Sequence, residues 1–314
     1  MQLNQIYQGD CNELIKKLDD NSVDIVLTSP PYNSMRTSQS DVGYDIYKDN
    51  LTNEQYLEMS LKLFEQIDRV LVKNGVVLYN LSYGTDSPNN TSLMWLLVTS
   101  IILNTNFCVG DVITWKKRSA SPNNTSCNKG TRICEWVIVF CRKNEFKTFK
   151  ANKKVKSVRA TGQVYYENVF NFIEARNNDG QCALNKATFS TELVLQLLDR
   201  YSTSTDDVIL DPFMGTGTTA KGCIERNRNF IGFELSQSQV DYANERLKNI
   251  DVVKMDLDDN WWIWGRRMKD FLENLVDTAQ IILYIFVCLI IGGILGWNTT
   301  VYKYFSRDYE PNRA

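Results

Sequence analysis

Ser29, Pro30, Pro31 and Tyr32 put a hydroxyl, two proline carbonyls and an aromatic ring at the end of the apolar run "DIVLT". Proline fixes φ and donates no backbone hydrogen bond, so Pro30 and Pro31 end a strand, and Pro30 biases Ser29 toward extended geometry. The stretch reads as a strand running into a stiff loop that presents Ser29 and Tyr32; taken alone, it is an ordinary strand exit. A second stretch, "DPFMGTGTT" (211–219), lies between the apolar "DVIL" and the helical "AKGCIER". Gly215 and Gly217 allow a tight turn and close approach of a ligand to the backbone. The helix behind them offers free N–H groups to a carboxylate or phosphate.

Two common Gly-rich loops are excluded here. A P-loop needs Lys-Ser/Thr after its last glycine, and a dinucleotide loop needs a third glycine; neither is present. The next apolar run ends in Glu234, 17 residues beyond Gly217. An acidic side chain there is placed to accept from ribose hydroxyls. A nucleoside cofactor without a pyrophosphate fits these features, and S-adenosylmethionine is the candidate.

The elements that must carry these residues follow from periodicity. "SVDIVLTS" (22–29), "GVVLYNL" (75–81), "EWVIVFC" (135–141), "DVILDPF" (207–213) and "NFIGFEL" (229–235) are short apolar runs rich in β-branched residues. They predict buried strands of a largely parallel sheet. Leu57, Leu61, Phe64, Ile67 and Leu71 recur at helical spacing after a cap at Thr52, and Val240, Ala243 and Leu247 recur after a cap at Ser236. Strands alternating with helices predict a doubly wound α/β sheet.

Composition narrows the chemistry. The 314 residues suffice for one large α/β domain with an appendage. Histidine is absent, which excludes Ser-His-Asp and Cys-His pairs and every His-bound metal site; no metal is expected. The eight cysteines form no C-x-x-C pair and suit a reducing compartment. Polar residues from Gln2 onward argue against a signal peptide. The net charge of −2 hides an asymmetry: residues 116–159 hold 13 Lys/Arg against Glu135 and Glu145. Such a block is either a solvated face or an electrostatic footprint for nucleic acid. Residues 278–302 carry no charge and are long enough to span a bilayer of about 30 Å as a helix. With aromatic residues at both ends, they predict a membrane span preceded by a linker (251–277) and followed by a polar tail (303–314).

The two loops in this order resemble the DNA amino-methyltransferases (cytosine-N4 or adenine-N6) of the β class, in which an S/D-P-P-Y loop comes first and an F-x-G-x-G loop comes late. "QGDCNELIKKLDDNSVDIVLTSPPYN" (8–33) resembles that family's opening segment, and the similarity covers about residues 3–250. The resemblance implies a Rossmann-like S-adenosylmethionine-dependent methyltransferase sheet with helices on both faces and circularly permuted motif order, to which the C-terminal apolar helix would be an addition. It implies a methyltransferase domain over 1–250 with a short basic target-recognition insert at about 142–185. The catalytic set is then Ser29, Pro30, Pro31 and Tyr32. Tyr32 stacks on a flipped base, while Ser29 and the Pro30 carbonyl accept from its exocyclic amine. The implied cofactor residues are Asp10, Cys11, Phe189, Asp211, Phe213, Gly215, Gly217, Thr218, Thr219 and Glu234. Lys116, Lys117, Arg118, Lys153, Lys154, Lys156 and Arg159 are the expected contacts to double-stranded DNA.

Departures bear on the expectation. "NKATFSTELV" (185–194) keeps Phe189 but lacks the His and prolines that the family often shows there. The short recognition segment suits limited specificity or sharing between two subunits, as in a homodimer. "LTSPPY" resembles the cytosine-N4 version of the loop, with adenine-N6 the alternative. A cognate restriction endonuclease is an expected partner. The expected location is a single-pass membrane anchor with the catalytic domain on the cytoplasmic, DNA-containing side, or the cytoplasm if 278–302 is not a span. Rival readings are an inactive, membrane-tethered DNA-binding protein and an RNA or protein methyltransferase.

Overall fold

The computed structural model describes residues 1–33, 51–82, 93–120, 127–180 and 188–248, together with 122, 124, 184 and 250. The strands are β1 (Gln5–Gln8), β2 (Val23–Thr28), β3 (Leu71–Leu81), β4 (Phe107–Lys117), β5 (Cys134–Arg142), β6 (Val155–Val158), β7 (Val164–Tyr166), β8 (Phe172–Ala175), β9 (Val208–Asp211) and β10 (Asn229–Glu234). The α-helices are α1 (Cys11–Leu14), α2 (Asn53–Val70), α3 (Leu93–Asn104), α4 (Thr191–Tyr201), α5 (Thr218–Glu225) and α6 (Gln237–Lys248).

Eight strands form one sheet in the order β1-β10-β9-β2-β3-β5-β4-β8, and β6 and β7 form a separate hairpin. β1, β10, β9, β2 and β3 are parallel neighbours, whereas β5 runs antiparallel to both β3 and β4. Strand residues alternate between two apolar clusters. Val77 and Tyr79 pack with α1, α2 and α3, while Val76 and Leu78 pack with α4, α5 and α6. The period of two therefore assigns three helices to each face. This is the doubly wound arrangement, with helices on both faces, that the alternation of runs predicts.

Both predicted caps form. Thr52 Oγ1 accepts from Gln55 N at 3.2 Å and Gln55 Oε1 accepts from Thr52 N at 3.0 Å, a capping box at the start of α2. Ser236 Oγ accepts from Gln239 N at 3.3 Å at the start of α6.

Two expectations concern the end of the chain. The compact unit Met1–Val252 carries every described element, and residues 251–314, including the expected apolar helix, lie outside the described residues. The membrane-anchored location read from 278–302 is corrected. No helix among the described residues is long and apolar enough to cross a membrane. An uncharged stretch supplies the length of a span, but length and hydropathy alone do not establish one.

Candidate active site

β2 and β9 lie side by side, with Ile25 opposite Ile209 and Val26 opposite Leu210. From β2 the sheet continues to β3 on one side, and from β9 to β10 on the other. This reversal of direction is a topological switch point, and open α/β sheets bind ligands outside the carboxyl ends of the strands at such a point. Ser29–Tyr32 and the 211–217 loop, 180 residues apart in sequence, leave those two ends together.

Asp211 joins them. It is fully buried, and its carboxylate accepts from Thr28 Oγ1 at 2.6 Å, Thr219 Oγ1 at 2.5 Å and Phe213 N at 3.0 Å. Burial raises its pKa to about 6 against the lowering effect of these donors. Asp211 thus binds the strand before Ser29 to the first turn of α5 and holds the rest of its loop in place.

The cofactor side is built around glycines in the left-handed region, Gly215 at φ 54° and Gly217 at φ 83°. A Cβ on Gly217 would lie 3.0 Å from Ala243 Cβ on α6. Gly217 caps α5 without a side-chain hydrogen bond, which leaves the helix N-terminus to receive a ligand carboxylate. Glu234 ends β10 beside this loop. Its Oε2 accepts from Gly215 N at 2.8 Å and its Oε1 from Ser236 N at 2.9 Å. Gln8 on β1 pairs with Glu234, which places Asp10 at the same edge. Asp10 caps α1 by accepting from Asn12 N at 2.7 Å. Cys11 is buried, and burial, then Asp10, pushes its thiol up to about 12, so it is a neutral wall. Phe189 is buried in the cluster that also holds Met214. Phe213 is partly buried against the opposite cluster, and Thr218 Oγ1 accepts from Arg246 Nη1 at 3.2 Å. An uncapped helix N-terminus, a carboxylate at the adjacent strand end and a buried aromatic fit the methionine carboxylate, ribose and nonpolar parts of S-adenosylmethionine.

The catalytic side contains residues that the motifs do not announce. Ser29 Oγ and Tyr32 Oη are 3.0 Å apart. Asn80, at the end of β3, donates from Nδ2 to Tyr32 Oη at 2.8 Å and to Glu135 Oε2 at 3.0 Å. Tyr32 Oη donates to the same Glu135 oxygen at 3.4 Å. Lys117 Nζ meets Glu135 Oε1 at 2.5 Å and lies 5.0 Å from the centre of the Trp115 ring. Tyr56 on α2 donates its hydroxyl to the Pro31 carbonyl at 2.8 Å. Asn33 Nδ2 donates to the Leu51 carbonyl at 2.8 Å, which ties the end of the Ser-Pro-Pro-Tyr loop to the residue before the α2 cap. The Ser-Pro-Pro-Tyr loop is therefore held from α2 and from the strand ends of β3, β4 and β5.

The basic residues separate into two groups. Lys116, Lys117 and Arg118 sit at the catalytic end of β4, and each meets a carboxylate: Glu174, Glu135 and Glu192 respectively. Lys153, Lys154, Lys156 and Arg159 lie on or beside the exposed β6–β7 hairpin. The chain enters that hairpin from the opposite end of the central strands. Lys150 pairs with Asp24 and Asp207 at the starts of β2 and β9, and Asn152 N donates to the Arg200 carbonyl at the end of α4. The structure does not bring the base of the hairpin together with the catalytic loop. Among the described residues, no cluster of His, Cys, Asp or Glu could hold a metal ion.

A glycine-bordered cofactor crevice joined to a Ser-Pro-Pro-Tyr loop defines a methyltransferase acting on a planar amine. Comparison with known proteins makes the class specific. The family model described as DNA methylase, of the N6/N4 kind, matches residues 23–245, and the chain belongs to that family of S-adenosylmethionine-dependent enzymes. Similar curated proteins include Type II methyltransferase M.HinfI of Haemophilus influenzae, 27% identical over 82% of this chain and 71% of the relative. M.BglII of Bacillus subtilis is 28% identical over 78% of this chain and 69% of its own. Among solved structures, the PvuII DNA methyltransferase (cytosine-N4-specific) matches with a TM-score of 0.60 at 20% identity, covering 79% of this chain and 88% of that one. The M1.HpyAVI–SAM complex matches with a TM-score of 0.51 at 24% identity, covering 77% and 98%. Both structural likenesses concern the fold.

Proposed function

We propose that this chain flips cytosine out of double-stranded DNA and methylates its N4 amine. The observation that carries the reading is the Ser29 hydroxyl, hydrogen-bonded to Tyr32, on the loop that Asp211 ties to the cofactor crevice. When bound, S-adenosylmethionine would supply a methyl group activated by its positively charged sulfur; the new N–C bond would replace the C–S bond, whose electrons stay on sulfur, and the proton lost by the amine would pass to solvent. Ser29 Oγ and the Pro30 carbonyl accept from the exocyclic amine and draw the nitrogen lone pair toward the methyl group. Tyr32 stacks on the flipped ring. Gly217 and the first turn of α5 receive the methionine carboxylate, Glu234 the ribose hydroxyls, and Asp10 the adenine ring. With the methyl donor already activated by its charge, the residues contribute chiefly positioning.

A neutral hydroxyl at Ser29, rather than a carboxylate, favours cytosine N4 over adenine N6. The test is to incubate DNA with the protein and labelled S-adenosylmethionine, digest it to nucleosides and weigh them. N4-methylcytosine supports the proposal. N6-methyladenine alone overturns the choice of base and leaves the amino-methyltransferase chemistry standing.

A further inference from the structure

Glu135 ends the hydrogen-bond chain that begins at Ser29, and its charge dictates which way every hydrogen in that chain points. It is ion-paired with Lys117, so it meets the network as an acceptor only. Tyr32 has one hydroxyl proton, and the carboxylate oxygen Glu135 Oε2, 3.4 Å away, draws it in preference to the neutral Ser29 hydroxyl because a charged acceptor is the stronger one. Asn80 has two amide protons, and its two short contacts, at 2.8 and 3.0 Å, direct them to Tyr32 Oη and Glu135 Oε2. The reversed amide would set Asn80 Oδ1 against the carboxylate, so the assigned orientation is the stable one. With Tyr32's proton committed to Glu135, the 3.0 Å contact between the hydroxyls requires Ser29 to donate to Tyr32. Ser29 then has no proton left for a substrate and presents lone pairs alone.

We propose that Glu135 is a positioning residue that makes Ser29 an obligate acceptor, so that the site selects a base edge bearing an amine and rejects one bearing a carbonyl. A carbonyl oxygen placed at Ser29 would face lone pairs with no proton between them. A site built to hydrogen-bond one group discriminates strongly against its opposite, because the buried polar atoms are then left unpaired. The proposal rests on the amino-methyltransferase reading and assigns that site's specificity to a residue outside its loop motifs.

The test uses the full chain and duplexes carrying the methylated site once it has been mapped. The target base is either the amine form or its keto counterpart: cytosine or uracil, or adenine or hypoxanthine if the product is N6-methyladenine. Binding of each duplex is measured with S-adenosylhomocysteine present, and the amine-to-keto affinity ratio is compared across variants, which cancels any difference in flipping between the two bases. Glu135→Gln can donate to Tyr32 and release the Ser29 proton, and Tyr32→Phe cuts the chain while keeping the ring. Each should lower the ratio on the order of tenfold, with S-adenosylmethionine affinity in the absence of DNA unchanged. A merely structural role for Glu135 would lower both affinities and preserve the ratio. If Glu135→Gln fails to fold, Tyr32→Phe carries the test alone. A ratio preserved in a folded variant overturns the proposal. A wild-type chain that transfers no methyl group to DNA overturns the underlying reading together with this inference, and the wild-type transfer assay separates that failure from the failure of Glu135 alone.

Discussion

Glu234, the proposed acceptor for the ribose hydroxyls, holds two backbone N–H groups through different oxygens. Glu234→Ala should therefore weaken S-adenosylmethionine binding on the order of tenfold or more, since hydrogen bonds to a charged group contribute roughly 1.5–3 kcal/mol. Calorimetry on the folded variant checks this, and unchanged affinity removes Glu234 from the site. Asp211 makes a pH prediction whose sign is opposite to that of most carboxylates. Its folded pKa, about 6, lies above the ordinary value of 3.8, so the folded state takes up the proton first. The stability of wild type relative to Asp211→Asn should rise as pH falls from about 7 toward 4, by roughly 1.4 kcal/mol per unit of pKa difference. Thermal unfolding of both proteins across that range measures it, and a relative stability that falls instead rejects the burial argument. The roles proposed for Ser29 and Tyr32 came from the family resemblance, while the positions of Ser29 and Tyr32 on a strand-exit loop, of Gly215 and Gly217 in a tight turn and of Glu234 at a strand end were legible from residue type and spacing. Asn80 and Glu135 were not. They reach Tyr32 only through the antiparallel register of β3 with β5, across 48 and 103 residues of sequence.

α2 shows how an element far from the chemistry can set it. Its Tyr56 is buried, yet its hydroxyl reaches the Pro31 carbonyl. Tyr56→Phe removes that hydrogen bond to the stiff loop and should cost about 1 kcal/mol of stability. The turnover number for methyl transfer should fall while S-adenosylmethionine affinity holds, because the cofactor crevice lies on the β9 side. Equal losses in both would place Tyr56 in general support of the fold. The strands bordering the two loops, and helices α2 and α6, were legible from apolar runs, helical spacing and caps. β1, β4, β8 and α3 were not. β1 is four residues of "QIYQ", and β4, "FCVGDVITWKK", carries a glycine and charges through its length. α3, "LMWLLVTSIILN", is apolar on nearly every side, which erases the periodicity that would mark it.

At the scale of the molecule, every described element falls within Met1–Val252. A chain ending at Val252 should keep S-adenosylmethionine affinity and methyl transfer within about twofold of the full protein, since every residue of the described site lies before that point. Loss of transfer with affinity retained would assign the missing residues a part in handling DNA. The strand order also governs how the protein is made. Thr28 and Asp211, hydrogen-bonded to each other, are 183 positions apart, and β1 pairs with β10, the last of the described strands to be synthesised. At ~5–20 residues per second, β2 leaves the ribosome roughly ten to forty seconds before the strand that covers its edge exists. In that interval the edge offers unpaired backbone groups to any neighbouring chain. Nascent chains stalled before Glu234 has emerged should gain no protease protection from S-adenosylmethionine, and longer ones should gain it abruptly. The order of the two loops thus delays cofactor capture until β10 has been made, and the newborn enzyme is both most exposed to misassembly and unable to modify DNA until that strand is in place.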